Sequence, residues 1–280
     1  MHLDEIILVP IILIIALKLV PPVGIPILGP GEITPTPTVS GSTPTTGTAT
    51  PTPIQCPTTS TRTYITCPMF GPTTSPPAAD HPDLNLNKRG YAALTSGTNN
   101  EFVNLNPQAD DDSNAPQLYY LLNKQPSFKN YRVNSWAGSG HPIGGPITDP
   151  EVTLVGLAAN PNTDTIHIPN TQTPGLGCSN KQVVVLYADQ NNITLKYTAT
   201  DTVVGGYTVH IADFCVDPNL YSLYQTQNAS GRHSLPALSA DEIIGKPRTT
   251  EVKVAIRDGE GTFMDPRSYK DWWQRPRPPL

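Results

Sequence analysis

Charge is scarce in this chain. Only 15% of its 280 residues are Asp, Glu, Lys or Arg, and the balance is a net −5 with a pI near 5.6. Without a cationic surface there is no electrostatic footprint for nucleic acid, which is not expected as a partner. The common catalytic signatures are missing too. There is no G-x-S-x-G elbow, no Walker loop, no G-x-G-x-x-G after a strand and no H-E-x-x-H. Cysteines are few, namely Cys56, Cys67, Cys178 and Cys215, and none falls in a C-x-x-C pair. An even number without that motif suits two disulfides and is poor for a zinc knuckle. Closeness along the chain pairs Cys56 with Cys67 and Cys178 with Cys215, out of three possible connectivities. Reduced buried thiols are the alternative.

What is abundant is proline, 32 residues of it, with Thr, Ser and Asn dominating the polar set. Ile6–Val20 reads IILVPIILIIALKLV, and apolar character continues to Leu28. The uncharged part, Ile6 to Leu17, falls short of the roughly 20 residues that span a bilayer. Residues 1–28 reach that length only if Lys18 snorkels and the prolines are tolerated. A membrane anchor leads among three readings. A cleaved signal peptide and an apolar segment that packs between copies in a filament are the others. All three export the chain, so the expected location is extracellular, at the cell surface. Residues 29–79 follow, with Thr-Pro steps such as Thr34-Pro35-Thr36-Pro37 and no charge between Glu32 and Arg62. Such chain favours an extended, coreless spacer, the composition of O-glycosylated stalks.

From Asp80 the composition becomes globular. Strands are expected at Val152–Leu157, Thr165–Ile168, Gln182–Ala188, Ile193–Thr198, Tyr207–Ile211 and Glu251–Arg257, each rich in Val, Ile, Tyr or Thr and bounded by turn residues. One helix is clear. Asp217-Pro218 starts it with Pro at its first position, Leu220, Leu223 and Tyr224 share a face, and it ends near Ala229-Ser230-Gly231. The fold expected for residues 80–280 is mostly β, a barrel or sandwich with one or two short helices.

The closing segment, Val252 to Pro266 (VKVAIRDGEGTFMDP) followed by Trp272-Trp273, resembles the last strand of the lysostaphin-type zinc endopeptidases. That family carries H-x-H, then an apolar–acidic–Ile–Arg run, a glycine turn and Asp-Pro or Asn-Pro. Ile256, Arg257, Gly261, Asp265 and Pro266 match. Upstream, Ile193–Tyr197 is similar to the family's V-x-I-x-H strand, Tyr207–Ile211 to Y-x-H-L, and Leu238–Gly245 to a turn of the form v-x-x-G-x-x-I-G. The likeness covers Gln182 to Pro266, with a lysostaphin-like core at about 150–273. The segment Asp83 to Trp273 also resembles uncharacterised surface domains of environmental bacteria. The resemblance implies a zinc-binding barrel that cuts cell-wall peptides, yet Glu251 and Lys253 stand where the two histidines belong. An ammonium cannot ligate zinc and repels it. His210 is left for the assisting histidine, His141 and His167 (with Asp164) are the candidates for the missing early ligands, and a rearranged metal site would use His167, His210 and Glu251. The plainer expectation is a strand histidine at 210, a same-face Glu–Lys pair on β structure, and no cofactor.

Other sites are secondary. Asp110-Asp111-Asp112 lacks the spacing of a calcium loop. Asn192 and Asn228 begin N-x-S/T sequons. Tyr269, Trp272 and Trp273 either cap the end of the domain or present rings to sugars. The tail Arg275–Pro279 is short, basic and extended. Together these features lead to a non-catalytic envelope protein that binds or scaffolds at glycan or peptidoglycan. A zinc endopeptidase with displaced ligands and a filament subunit are the alternatives.

Overall fold

The structure, a computed structural model, describes residues 52–71, 75–95, 99–105, 112–172 and 175–273. The chain divides after Thr48 into two compact units, and every described residue belongs to the second. The apolar amino-terminal segment, most of the Thr/Pro stretch, Asp110, Asp111 and the Arg275–Pro279 tail lie outside the described residues.

In chain order the first strands are β1 (Ile65–Pro68), β2 (Tyr91–Ala93), β3 (Phe128–Trp136), β4 (Ile143–Pro146) and β5 (Leu154–Ala158). Next come β6 (Ile166–His167), β7 (Val183–Ala188), β8 (Asn192–Lys196), β9 (Thr208–Ala212) and β10 (Phe214–Val216). The chain closes with β11 (Ser234–Leu238), β12 (Ile243–Pro247), β13 (Glu251–Asp258) and β14 (Thr262–Phe263). The main antiparallel sheet runs β1-β11-β7-β8-β9-β13-β5-β3-β2, with β14 on β13 and β4 on β3, and a small sheet runs β10-β12-β6. The mostly β expectation holds. The barrel does not, because the sheet stays open between its β1 and β2 edges. Among the described residues four α-helices replace the expected one or two: α1 (Leu86–Arg89), α2 (Tyr119–Leu122), α3 (Pro218–Ala229) and α4 (Tyr269–Trp272). Only α3 exceeds one turn, and it starts where Asp217 caps the amides of Asn219 and Leu220.

Strand alternation places the core. On β13, Val252, Val254 and Ile256 are fully buried against Val209 and Ile211 of β9 and Val155 and Leu157 of β5. Each such side chain contributes about 1.5–3 kcal/mol on burial. Glu251, Lys253, Ala255 and Arg257 face the other way. There a smaller cluster forms from Leu86, Val133, Leu154, Ala212, Ala255 and Phe263. Residues 81–90, carrying α1, lie across that second face.

Two disulfides join Cys56 to Cys215 and Cys67 to Cys178, which corrects the pairing expected from proximity. The stretch between Cys56 and Cys67 is extended, so its ends lie on the order of 35 Å apart at full reach. A disulfide needs Cα atoms about 5.5–6 Å apart. The tertiary path supplies that: β1 adds to the sheet beside β11, and the chain before it follows β10 and β12. The spacer boundary at 79 is corrected likewise. Ile54 N donates to Arg248 O at 2.9 Å, Ser60 Oγ to Asp217 Oδ2 at 2.6 Å, and Tyr64 Oη to the Ile243 carbonyl at 3.1 Å. The chain from Ile54 to Pro68 is thus part of the folded domain. Two disulfides fit an oxidising, extracellular setting. Among the described residues no helix is long and apolar enough to cross a membrane.

Candidate functional site

The Glu251–Lys253 pair lies on the second face, where β13 is flanked by β9 and β5. Lys253 pairs in register with Ala212 on one side and Gly156 on the other. Both neighbours are small, which leaves the long side chain room. A Cβ at Gly156 would come within 2.6 Å of a Glu251 carboxylate oxygen, so glycine is required for Glu251 to lie flat across β5. Asp213, at a positive φ of 65° in the turn between β9 and β10, contacts the Lys253 ammonium directly. Glu251 Oε1 lies 3.4 Å from the same nitrogen. The rings of Tyr91 and Tyr131 flank it, with centroids at 5.5 and 5.3 Å. Tyr131 Oη donates to Glu251 Oε1 at 2.6 Å, and Lys129 Nζ lies 3.5 Å from Oε2.

This is a closed electrostatic unit. Burial alone depresses the Lys253 pKa, but the hydrogen bond and charge of Asp213, with help from Tyr91 and Glu251, outweigh it and hold the ammonium above its ordinary value. Burial, then the bond to Glu251, pushes the Tyr131 hydroxyl up. Neither group is a proton donor or acceptor near neutrality. The slot between two acidic groups holds a covalently attached cation.

His210 sits farther along the same face, opposite Ala255 and Thr194. It is 1% exposed. Thr194 Oγ1 donates to the Leu84 carbonyl at 2.5 Å, so its 3.0 Å contact with His210 Nδ1 requires Nδ1 to carry the proton. Nε2 is then a bare acceptor, and among the described residues no partner reaches it. Burial first, then the charges of Arg257 and Arg89, holds the His210 pKa well below the histidine norm. Both guanidiniums bind Asp83, Arg257 at 2.8 Å, and both stand over the Phe263 ring. Asn85 Nδ2 reaches Tyr187 Oη at 3.0 Å. Residues 83–89 are thus bonded to the neighbours of His210, and the imidazole is buried. A buried lysine on the same sheet, Lys196, bonds the Val204 and Gly206 carbonyls at 3.0 and 2.9 Å; burial, then the charge of Arg257, lowers its pKa to about 8.

The rearranged metal set does not assemble. His167 belongs to the small sheet, its Nε2 2.6 Å from Thr165 Oγ1 and its Nδ1 3.0 Å from the Asp241 carbonyl. Glu251 lies four residues along β13 from the position facing His210, roughly 13 Å away. Asp164 pairs with Lys124, and His141 sits in an exposed turn after β3. Among the described residues no three His, Cys, Asp or Glu side chains are grouped to hold a metal. Asp112 accepts from Tyr207 Oη at 2.7 Å.

At the aromatic end the capping reading holds for the two tryptophans, and the sugar-facing alternative does not. Trp272 and Trp273 are 3% and 5% exposed, and their indole N–H groups donate to the carbonyls of Asp265 and Pro266, both at 2.8 Å. They close the core instead of offering rings to sugars. Tyr269 is 43% exposed. Of the sequons, Asn192 is buried with its amide held by both oxygens of Asp189, so it cannot take a glycan in the folded domain, whereas Asn228 is exposed on α3. Asp213, Tyr91, Tyr131, Asp83 and Arg89 were not legible as site residues, because each reaches the face from a different strand or loop. A signal for Trp136 did exist: a tryptophan at a strand end followed directly by Ala-Gly-Ser-Gly, which turns the chain at the surface. Compared with protein-family models, curated proteins and solved structures, the chain matches none.

Proposed function

We propose that this protein is a non-catalytic, surface-displayed envelope protein whose folded domain binds or scaffolds at the cell-wall glycan. Its apolar residues 1–28 act as the anchor and the Thr/Pro stretch as the spacer. The observation that carries the reading is the Lys253 ammonium seated between Asp213, Glu251 and two tyrosine rings, at the position where the resembled endopeptidases place a zinc-ligating histidine. A cation already bonded to the chain neutralises those carboxylates, so a divalent ion gains nothing by entering. The buried, proton-poor His210 supports the same reading, since an assisting base needs access to its substrate.

Metal analysis of the purified full-length chain, with a hydrolysis assay on wall peptide fragments, tests it. The expected result is no stoichiometric zinc and no cleavage. Tightly held zinc together with cleavage that disappears in His210→Ala would replace this reading with a zinc endopeptidase.

A further inference from the structure

The chain has three tryptophans, and the structure sorts them. Two close the core. The third, Trp136, ends β3 and lines a surface groove of about 370 Å³ together with Pro76, Pro82, Asp80, Ser139 and His141. The volume sits at the small end of the range for ligand clefts, roughly 300–1,000 Å³.

Trp136 is held before any ligand arrives. Its Nε1 donates to the His141 carbonyl at 3.0 Å, which satisfies the one polar group of the indole. The edge of His81 packs against it at 5.2 Å and 76°. Asp83 N donates to His81 Nδ1 at 3.2 Å, fixing that ring in turn. A prepositioned ring loses little freedom on binding, which favours affinity. Trp136 is half-buried, and the part of the indole left open lines the groove. Gly138 and Gly140, at φ of 106° and 84°, turn the chain sharply beside it, and both point into open space.

The rim is polar. The Asp80 side chain is 63% exposed and engages Lys88 at 3.0 Å, Ser139 donates to the Ser75 carbonyl at 3.0 Å, and the His141 imidazole is exposed. A planar apolar floor with hydroxyl, carboxylate and imidazole groups around it matches a pyranose, which has an apolar C–H face and a belt of hydroxyls. The lining holds a carboxylate and no arginine or lysine, which disfavours phosphates and nucleic acid.

We propose that the Trp136 groove is a saccharide-binding site that stacks a neutral or N-acetylated hexopyranose on the indole face. The proposal deepens the envelope-binding reading and rests on it for the source of the sugar.

The test titrates full-length protein with N-acetylglucosamine tetramer and cellotetraose, by calorimetry and tryptophan fluorescence. Binding of at least one probe is expected, with Trp136→Ala weakening it about tenfold or more. Tyr269→Ala, which alters an exposed aromatic outside the groove, leaves it unchanged. Ser139→Phe fills the mouth of the groove from an exposed position and abolishes binding even if Trp136→Ala fails to fold. Binding that survives Ser139→Phe, or the absence of binding to either probe, overturns the site. Pelleting with insoluble cell walls separates the two readings. If wild type and Ser139→Phe both pellet, the groove is wrong and envelope binding stands. If wild type neither pellets nor binds a probe, both fail.

Discussion

At residue 253 an ammonium sits among two carboxylates and two phenol rings, and its removal tests how much that unit is worth. Lys253→Met leaves Asp213 without its cation and Glu251 with only the exposed Lys129. Breaking a fully buried pair costs about 3–5 kcal/mol, but the Asp213 side chain is 33% exposed and screened, so about 1–3 kcal/mol is expected from denaturant midpoints. His210 makes a prediction in pH. Its folded pKa is depressed, so the unfolded chain binds the extra proton first, near pH ~6.5. Stability therefore falls as pH drops below about 6.5, with a slope of up to ~1.4 kcal/mol per pH unit from this group. His81, lowered chiefly by burial, adds slope of the same sign. The readout is accordingly the difference from His210→Gln, measured between about pH 6.5 and 5.5, above the range where ordinary carboxylates titrate. Equal slopes in the two proteins would show that His210 is not the group responsible.

Among the elements, β12 depends most on one small residue. A Cβ at Gly245 would stand 2.0 Å from the Cys215 carbonyl oxygen. That oxygen belongs to the backbone of β10 and cannot swing aside, so Gly245→Ala should push β10 from β12. The expected cost is at the upper end of about 1–3 kcal/mol, read from thermal or urea unfolding. Local sequence rules found β5, β6, β7, β8, β9, β13 and α3 because each carries its own signal, whether a Val/Ile-rich run between turn residues or an Asp-Pro start. They missed β3, β10, β11 and β12, as well as the short β1, β2, β4 and β14. In β3, buried Phe128, Asn130 and Val133 interleave with Lys129, Arg132 and Ser135, and β11 contains Pro236. Such strands are decided by their partners: β3 lies between β5 and β2, and β11 between β1 and β7. The alternation within Glu251–Arg257 did foretell the polar face.

For the whole molecule, the two disulfides carry the amino-terminal strap. They span 159 and 111 residues, long loops whose closure restricts the unfolded chain strongly. Reducing either should lower stability by about 2–5 kcal/mol. A non-reducing protease digest should yield peptides joining Cys56 to Cys215 and Cys67 to Cys178. A Cys56–Cys67 peptide would instead mean that the strap is not stapled to the domain. Sequence alone determined the β-rich class, α3, most central strands and the polar face of β13, since these depend on residues close in the chain. Tertiary structure decided the disulfide partners, the open sheet, the docking of Ile54–Pro68 on the domain, the burial of Trp272 and Trp273, and the surroundings of Lys253 and Trp136. Those are contacts between distant segments, and one-dimensional spacing carries no information on which of them the packing of the core will bring together.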